Sequence, residues 1–251
     1  MPMIATNALV NMVIAPPFTR TSHLHDATIM FCIWRDNFPE DKSMSIVARA
    51  KNIILKPSDE WNVIADESAT VGVLFTGYAM ILAGLALISG IVAAGLLGIG
   101  AEGLAAAGMS ATLMDTVVRA SLGYVVGLAM LYVMALIVNA VSPSFNGRSD
   151  FIQSLKLMTY ASTPSWLMGA VTPFFAELPF SVVLMSFAAV AYVVYLIYLG
   201  IKPTLNVPQD KVAGFTVVIV VVYVVIIVIV AAAVLGLLAT SLLGGGALSG
   251  A

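Results

Sequence analysis

The chain has 251 residues, of which 61% are hydrophobic and only 10% are charged. An ordinary soluble domain is about 45–50% apolar and about 25% charged, so this composition excludes a soluble enzyme and a disordered tail and indicates an integral membrane protein. The net charge of −2 provides no basic field for binding nucleic acid, and the single cysteine, Cys32, excludes an intrachain disulfide.

Residues 1–43 mix short apolar stretches with polar clusters and show no clean helical or strand period. We expect an irregular N-terminal extension here, and we expect Met44 to be the natural initiator, which would leave 1–43 untranslated. His23, His25 and Cys32 lie in this extension, but their spacing matches no established zinc pattern. We therefore predict no metal site.

Residues 44–69 are predicted to form a cytoplasmic amphipathic helix and a linker that begins at Pro57. The helix has one apolar face and one polar face; the apolar positions are Ile46, Ala50, Ile53 and Ile54. Its basic residues Arg49, Lys51 and Lys56 favour contact with anionic lipid at the membrane surface. The alternative is a soluble helix packed on loops of the same protein.

Residues 70–240 contain five stretches that meet the length of roughly 20 apolar residues needed for a membrane span. These stretches are residues 71–99, 117–141, 156–175, 178–199 and 214–239. Each must be helical, because an isolated strand in lipid would leave its backbone unpaired. The sequence therefore predicts an all-α polytopic membrane protein with five transmembrane helices preceded by the amphipathic helix. Residues 241–251 are predicted to be a flexible extracytoplasmic tail.

The distribution of basic residues predicts the orientation. Every lysine and arginine except Arg119 lies before the first span, in the loops that follow the second and fourth spans or, for Lys156, at the junction of the loop with the third span. The positive-inside rule then places the N-terminus in the cytoplasm and the C-terminus outside. An odd number of spans agrees with this split.

The third predicted span is the most polar. It contains Tyr160, Ser162, Thr163 and Ser165, and Pro164 removes a backbone donor between them. One interpretation is a polar cavity for a lipid headgroup or a small solute, which would make the protein a channel or transporter. The other, which we favour, is a kinked helix buried among its neighbours, whose hydroxyls bond the freed carbonyl.

Small residues recur at four-residue spacing in the first two spans. They are Ala86, Gly90, Ala94 and Gly98 in the first span and Gly123 and Gly127 in the second. Such stripes allow close approach of helix backbones. They are consistent with packing inside the chain and with a homo- or hetero-oligomer, and both interpretations stay open.

Residues for acid–base chemistry are scarce within the spans. The only two histidines lie in the N-terminal extension, and no carboxylate lies near the middle of a span. Because general acid–base catalysis and ion coupling depend on such groups, we expect neither an enzyme nor a cofactor, and we do not expect a coupled ion pump.

Several short motifs occur in an order and spacing that resemble the Yip1 family, in its prokaryotic branch. They cover the region from about residue 45 to residue 240. They are RAKNIILKP (49–57), EWNVI (60–64), SPSFNG (142–147), FIQSLK (151–156), YASTPSW (160–166), YLIYLGI (195–201) and VPQDKVAG (207–214).

The resemblance implies a five-span protein with a cytoplasmic N-terminus, in a bacterial or archaeal cell (inner) membrane. Eukaryotic relatives bind Rab GTPases and form hetero-oligomers in vesicle traffic. The Asp-Leu-Tyr-Gly-Pro signature of those relatives is absent here, where the segment reads Pro57-Ser58-Asp59-Glu60-Trp61, so Rab binding does not transfer. The family offers no catalytic residues, and the implied role is the organisation of membrane or partner proteins.

The predicted orientation can be tested by reporter fusions at the two ends of the chain. We expect a cytoplasmic reporter to be active only at the N-terminus and an extracytoplasmic reporter to be active only at the C-terminus. Activity of the same reporter at both ends would contradict the odd number of spans.

Overall fold

The computed structural model describes residues 45–100 and 112–247, and every regular element in these ranges is helical. The helices are α1 (Ile46–Leu55), α2 (Pro57–Asp66), α3 (Val71–Leu96), α4 (Leu113–Val141), α5 (Phe151–Ala161), α6 (Thr163–Val171), α7 (Pro179–Leu205) and α8 (Gln209–Ala247). The extension 1–43, with His23, His25 and Cys32, lies outside the described residues.

Four of the described helices are long and apolar enough to cross a membrane. They comprise Val71–Leu96, Leu113–Phe145, Phe180–Leu205 and Gln209–Val230. The third predicted span is not one continuous helix, because the chain forms α5, then α6, then a 3₁₀ turn over Thr172–Phe175. Pro164 explains the break: it lies in the first turn of α6, where a missing N–H costs nothing.

Helix α3 contains two π-helical turns, at Phe75–Ala79 and at Ile91–Leu96. Helix α8 is longer than predicted and continues through Ala247, so residues 241–247 are helical where the sequence predicted a flexible tail. No proline interrupts the chain from Gln209 to Ala247, so every residue in this stretch has the backbone N–H that a continuous helix needs.

At one end of the bundle, the loop between α4 and α5 is in contact with the loop between α7 and α8. Arg148 N–H donates to the carbonyl of Leu205 over 2.8 Å, and the rings of Phe145 and Phe215 stack with centroids 4.9 Å apart. This end also carries Lys202 and Lys211, and we call it the basic end.

At the opposite end, Gly100 N–H donates to Glu177 over 2.6 Å. This bond joins the chain after α3 to the turn before α7. Since α4 finishes at the basic end and α7 starts at the opposite end, the broken segment α5–α6 runs from one end of the bundle to the other.

Helices α1 and α2 form a hairpin that packs into the bundle. The chain turns at Lys56, and Pro57 begins α2. Helix α2 packs on α7, α1 contacts α6, and the Tyr192 hydroxyl of α7 donates to the carbonyl of Ile54 over 2.6 Å. Ile53, Trp61 and Ile64 are fully buried, so the hairpin is part of the core.

The buried core lies towards the basic end. It joins the hairpin and α5 to the parts of α4, α7 and α8 that are nearest this end, including Met134, Val138, Ile201, Leu205 and Phe215. Towards the opposite end the helices expose many large apolar side chains, including Leu85, Ile88, Leu122, Phe187 and Ile229. Exposed apolar side chains in long helices are what contact with hydrocarbon requires.

Gly200 lies where α7 packs tightly against the hairpin and α5. A Cβ atom there would be 2.7 Å from Trp61 Cε2 and 2.6 Å from Leu157 Cδ1. Both side chains are fully buried, so neither can move aside freely.

We therefore expect Gly200→Ala to destabilise the fold by about 1–3 kcal/mol through overpacking. The matched control is Gly84→Ala in α3, where a Cβ would meet no atom within 4 Å. Thermal unfolding of the purified variants in mild detergent measures both. Equal melting temperatures for the two variants would contradict the close contact at Gly200.

Candidate functional site

Each helix of the hairpin buries one charged residue beside two apolar residues. In α1 the buried side chains are Arg49, Ala50 and Ile53, and in α2 they are Glu60, Trp61 and Ile64. The two sets have the same spacing, i, i+1 and i+4, which places each on one helix face. Packing these faces together brings a guanidinium and a carboxylate into the core.

Arg49 binds two carboxylates at once. Its Nη1 donates to Glu60 Oε1 over 2.5 Å, and its Nη2 donates to Glu67 Oε1. The side chains of Arg49 and Glu60 are only 5% and 6% exposed, whereas that of Glu67 is 34% exposed. Burial alone lowers the pKa of Arg49, but the hydrogen bond and charge of Glu67, together with Tyr160 and the charge of Glu60, outweigh it, so the net pKa lies above its ordinary value. The guanidinium therefore stays charged.

The guanidinium also lies over an aromatic ring of the broken segment. Arg49 Cζ is 5.6 Å from the ring centroid of Tyr160 in α5, within the range of a cation–π interaction. Arg49 thus connects α1 to α2, to the chain after α2 and to α5.

This position differs from the predicted role of Arg49 at the membrane surface. The sequence pattern put Arg49 on the polar face of α1, but the structure buries it because two carboxylates further along the chain neutralise it. Lys51 and Lys56 are exposed, so the prediction of contact with anionic lipid stands for these two residues alone.

Helix α5 caps the C-terminus of α2 with two side chains. Lys156 Nζ donates to the carbonyl of Ile64 over 2.8 Å and to the carbonyl of Glu67, and Gln153 Nε2 donates to the carbonyl of Ala65 over 2.9 Å. The last carbonyls of a helix lack partners within the helix, and a cation there also complements the helix dipole. Lys156 is buried, and with Arg49 it balances the charges of Glu60 and Glu67.

We call Arg49, Glu60, Glu67, Lys156 and Tyr160 the Arg49 cluster. Its charges are paired with one another or with backbone carbonyls. Such an arrangement fixes one geometry of the hairpin on the bundle. The role that this geometry supports is structural locking.

The hydroxyls at the break between α5 and α6 bond within the chain. Thr163 Oγ1 is 2.9 Å from Tyr78 Oη of α3 and donates to the carbonyl of Tyr160 over 2.7 Å, while Ser162 donates to the carbonyl of Met158. Thr163 and Pro164 are buried, and Ser165 is exposed. The hydroxyls of Ser162 and Thr163 bond carbonyls of the chain, as we expected for the kinked, buried helix, whereas the predicted solute path has no specific observation in its favour.

The predicted small-residue stripes occupy different environments. Ala86, Gly90, Gly123 and Gly127 line a groove of about 290 Å³ between α3 and α4. A Cβ atom at any of these three glycines would meet nothing within 4 Å, so they do not provide close contact between these two helices. Ala94 is partly buried in the second π-helical turn of α3, and Gly98 lies beyond the end of α3 with φ of +67°.

Close approaches within the chain occur at glycines outside those stripes. A Cβ at Gly95 would be 2.7 Å from Leu113 Cδ1, and one at Gly169 would be 3.2 Å from Ala86 Cβ. The sequence did not indicate that Glu67 and Lys156 belong to a buried cluster. No local pattern marks these residues, because their partners lie far along the chain.

The family model described as the Yip1 domain matches residues 51–248. This range contains α2 to α8 and the second half of α1, and it begins two residues after Arg49. The chain belongs to the Yip1 family. No curated protein and no solved structure matches it. As a Yip1-family chain with four long apolar helices, it is a multi-pass integral membrane protein.

We expect Arg49→Gln to destabilise the protein by about 3–5 kcal/mol, because it leaves Glu60 buried without its partner. The matched control is Arg148→Gln, since Arg148 is 46% exposed and lies 3.5 Å from Asp150. An exposed pair of this kind contributes about 0–1 kcal/mol. Detergent-solubilised variants are compared by thermal unfolding.

The double variant R49M/E60M separates lost charge pairing from lost packing. It should recover much of the stability lost in R49Q, because no buried charge is left unpaired. Equal stability of R49Q and R148Q would show that the cluster does not hold the hairpin.

Proposed function

We propose that this Yip1-family chain is a non-enzymatic membrane protein of the cell (inner) membrane that organises lipids and partner proteins at the cytoplasmic face. The α1–α2 hairpin is its platform, and the bundle is its anchor. The observation that carries this proposal is the burial of Arg49 between Glu60 and Glu67. A hairpin locked in this way presents a fixed outer surface, which is what a scaffold needs.

The proposed topology has five crossings, with the N-terminus inside and the C-terminus outside. The broken segment α5–α6 supplies the crossing between Leu113–Phe145 and Phe180–Leu205. Two contacts support this crossing. One is the contact between the loop after α4 and the loop after α7 at the basic end, and the other is the hydrogen bond from Gly100 to Glu177 at the opposite end. A helix broken by proline is tolerated in a membrane where neighbouring hydroxyls and helices satisfy the backbone.

The outer face of α1 suits the surface of an anionic leaflet. Val47 and Leu55 are 77% and 65% exposed, and Lys51 lies between them at four-residue spacing. Lys56 follows at the turn. Exposed apolar groups beside lysines can enter the lipid boundary while the ammonium groups reach the headgroups.

We expect the hairpin face to prefer anionic lipid in the reconstituted full chain. A fluorophore is attached at Leu55→Cys in a Cys32→Ser background, and its quenching by brominated phosphatidylglycerol is compared with quenching by brominated phosphatidylcholine. Each lysine near an anionic surface adds about 1 kcal/mol. The charge reversal K51E/K56E should therefore remove the preference for phosphatidylglycerol.

The control for this experiment is K211E, which changes a charge at the basic end outside the hairpin. It should leave the quenching ratio as in the parent protein. An unchanged ratio in K51E/K56E, or no quenching by either lipid, would refute the lipid-facing platform.

A further inference from the structure

A second polar feature of the basic end is a cavity between α2 and the turn that joins α7 to α8. Its volume is about 540 Å³, and it is lined by Asn62, Lys202, Pro203, Asn206, Val207 and Pro208. None of these residues belongs to the Arg49 cluster or to the exposed face of α1.

The groups that line the cavity suit an anion. In the part of the chain that the structure describes, the Lys202 ammonium makes no salt bridge, and the Asn206 carboxamide makes no hydrogen bond. Asn62 Nδ2 donates to the carbonyl of Ser58 over 3.0 Å. No carboxylate belongs to the lining; Asp59 and Asp66 lie one turn from Asn62 on the same face of α2, beside the cavity. Lysine and carboxamide donors together can bind a phosphate oxygen.

The position of the cavity indicates where its ligand comes from. Lys202 and Asn206 lie at the end of the apolar helix Phe180–Leu205, where the chain leaves the span and meets the headgroup layer. Asn206 holds a left-handed conformation with φ of 55°, which ends α7 and turns the chain towards α8. A cavity at this level is accessible to the headgroup of a lipid in the adjacent leaflet.

We infer that this cavity binds the headgroup of an anionic phospholipid, with Lys202 and Asn206 donating to its phosphate. The inference rests on the proposed function in one respect, the placement of the basic end against the cytoplasmic leaflet. It names the lipid class and a site for it that is separate from the hairpin face.

The test is native mass spectrometry of the full, delipidated chain with phosphatidylglycerol or phosphatidylcholine of identical acyl chains. We expect one tightly bound phosphatidylglycerol that phosphatidylcholine does not replace. Lys202→Gln should weaken its binding about tenfold, the effect of losing one hydrogen bond from a charged donor. Lys211→Gln, which lies outside the lining, should bind as the parent chain does.

A second variant and a competition measurement test whether the cavity binds a lipid. Asn206→Gly removes the carboxamide while retaining the left-handed turn, so it should weaken phosphatidylglycerol binding with an unchanged melting temperature. Glycerol 3-phosphate at the same concentration should not compete with phosphatidylglycerol. Full competition by glycerol 3-phosphate would overturn the assignment of a lipid as the ligand. Equal phosphatidylglycerol binding by K202Q and the parent chain would overturn the assignment of the cavity as the binding site. K51E/K56E should retain this tight lipid, so failure of the hairpin face and failure of the cavity are distinguishable.

Discussion

The buried guanidinium of Arg49 is the constraint on which the arrangement of the basic end depends. A charge in the core is costly unless it is paired, and Arg49 meets Glu60, Glu67 and the ring of Tyr160 there. These partners come from three separate places in the chain. The pairing can form only when the hairpin, the chain after α2 and the broken segment α5–α6 are assembled together.

The same region combines charge pairing with close packing. Trp61 packs against Gly200 of α7, and Lys156 and Gln153 of α5 bind the carbonyls at the end of α2. Packing and hydrogen bonding therefore fix the hairpin from two sides. Towards the other end the helices expose apolar side chains that hydrocarbon can solvate. The molecule thus has a polar, tightly packed end and an apolar end that meets lipid.

Hydropathy predicted the helical class and the four long helices, because burial in lipid requires apolar runs of known length and backbone bonds within each helix. The sequence predicted a kinked third helix, whereas one helix ends at Ala161 and the next begins at Thr163. Hydropathy does not show that Pro164 can start a helix as well as kink one. The helical period also placed Arg49 on the polar face of α1, at the membrane surface. The periodicity of α1 alone cannot show that carboxylates eleven and eighteen residues later come to lie beside that side chain. The spacing of Gly90, Gly123 and Gly127 likewise could not show that these glycines line an open groove. That depends on how α3 and α4 pack against each other.

Hydrogen–deuterium exchange of the reconstituted chain tests the central claim most directly, because it reports on the hairpin separately from the spans. If Arg49 locks the hairpin, amides in α1 and α2 will be as protected as those of α5 in the parent protein. In R49Q their exchange will accelerate while α7 and α8 stay protected. Rapid exchange of α1 and α2 in the parent protein would show that the hairpin is not held by this pairing.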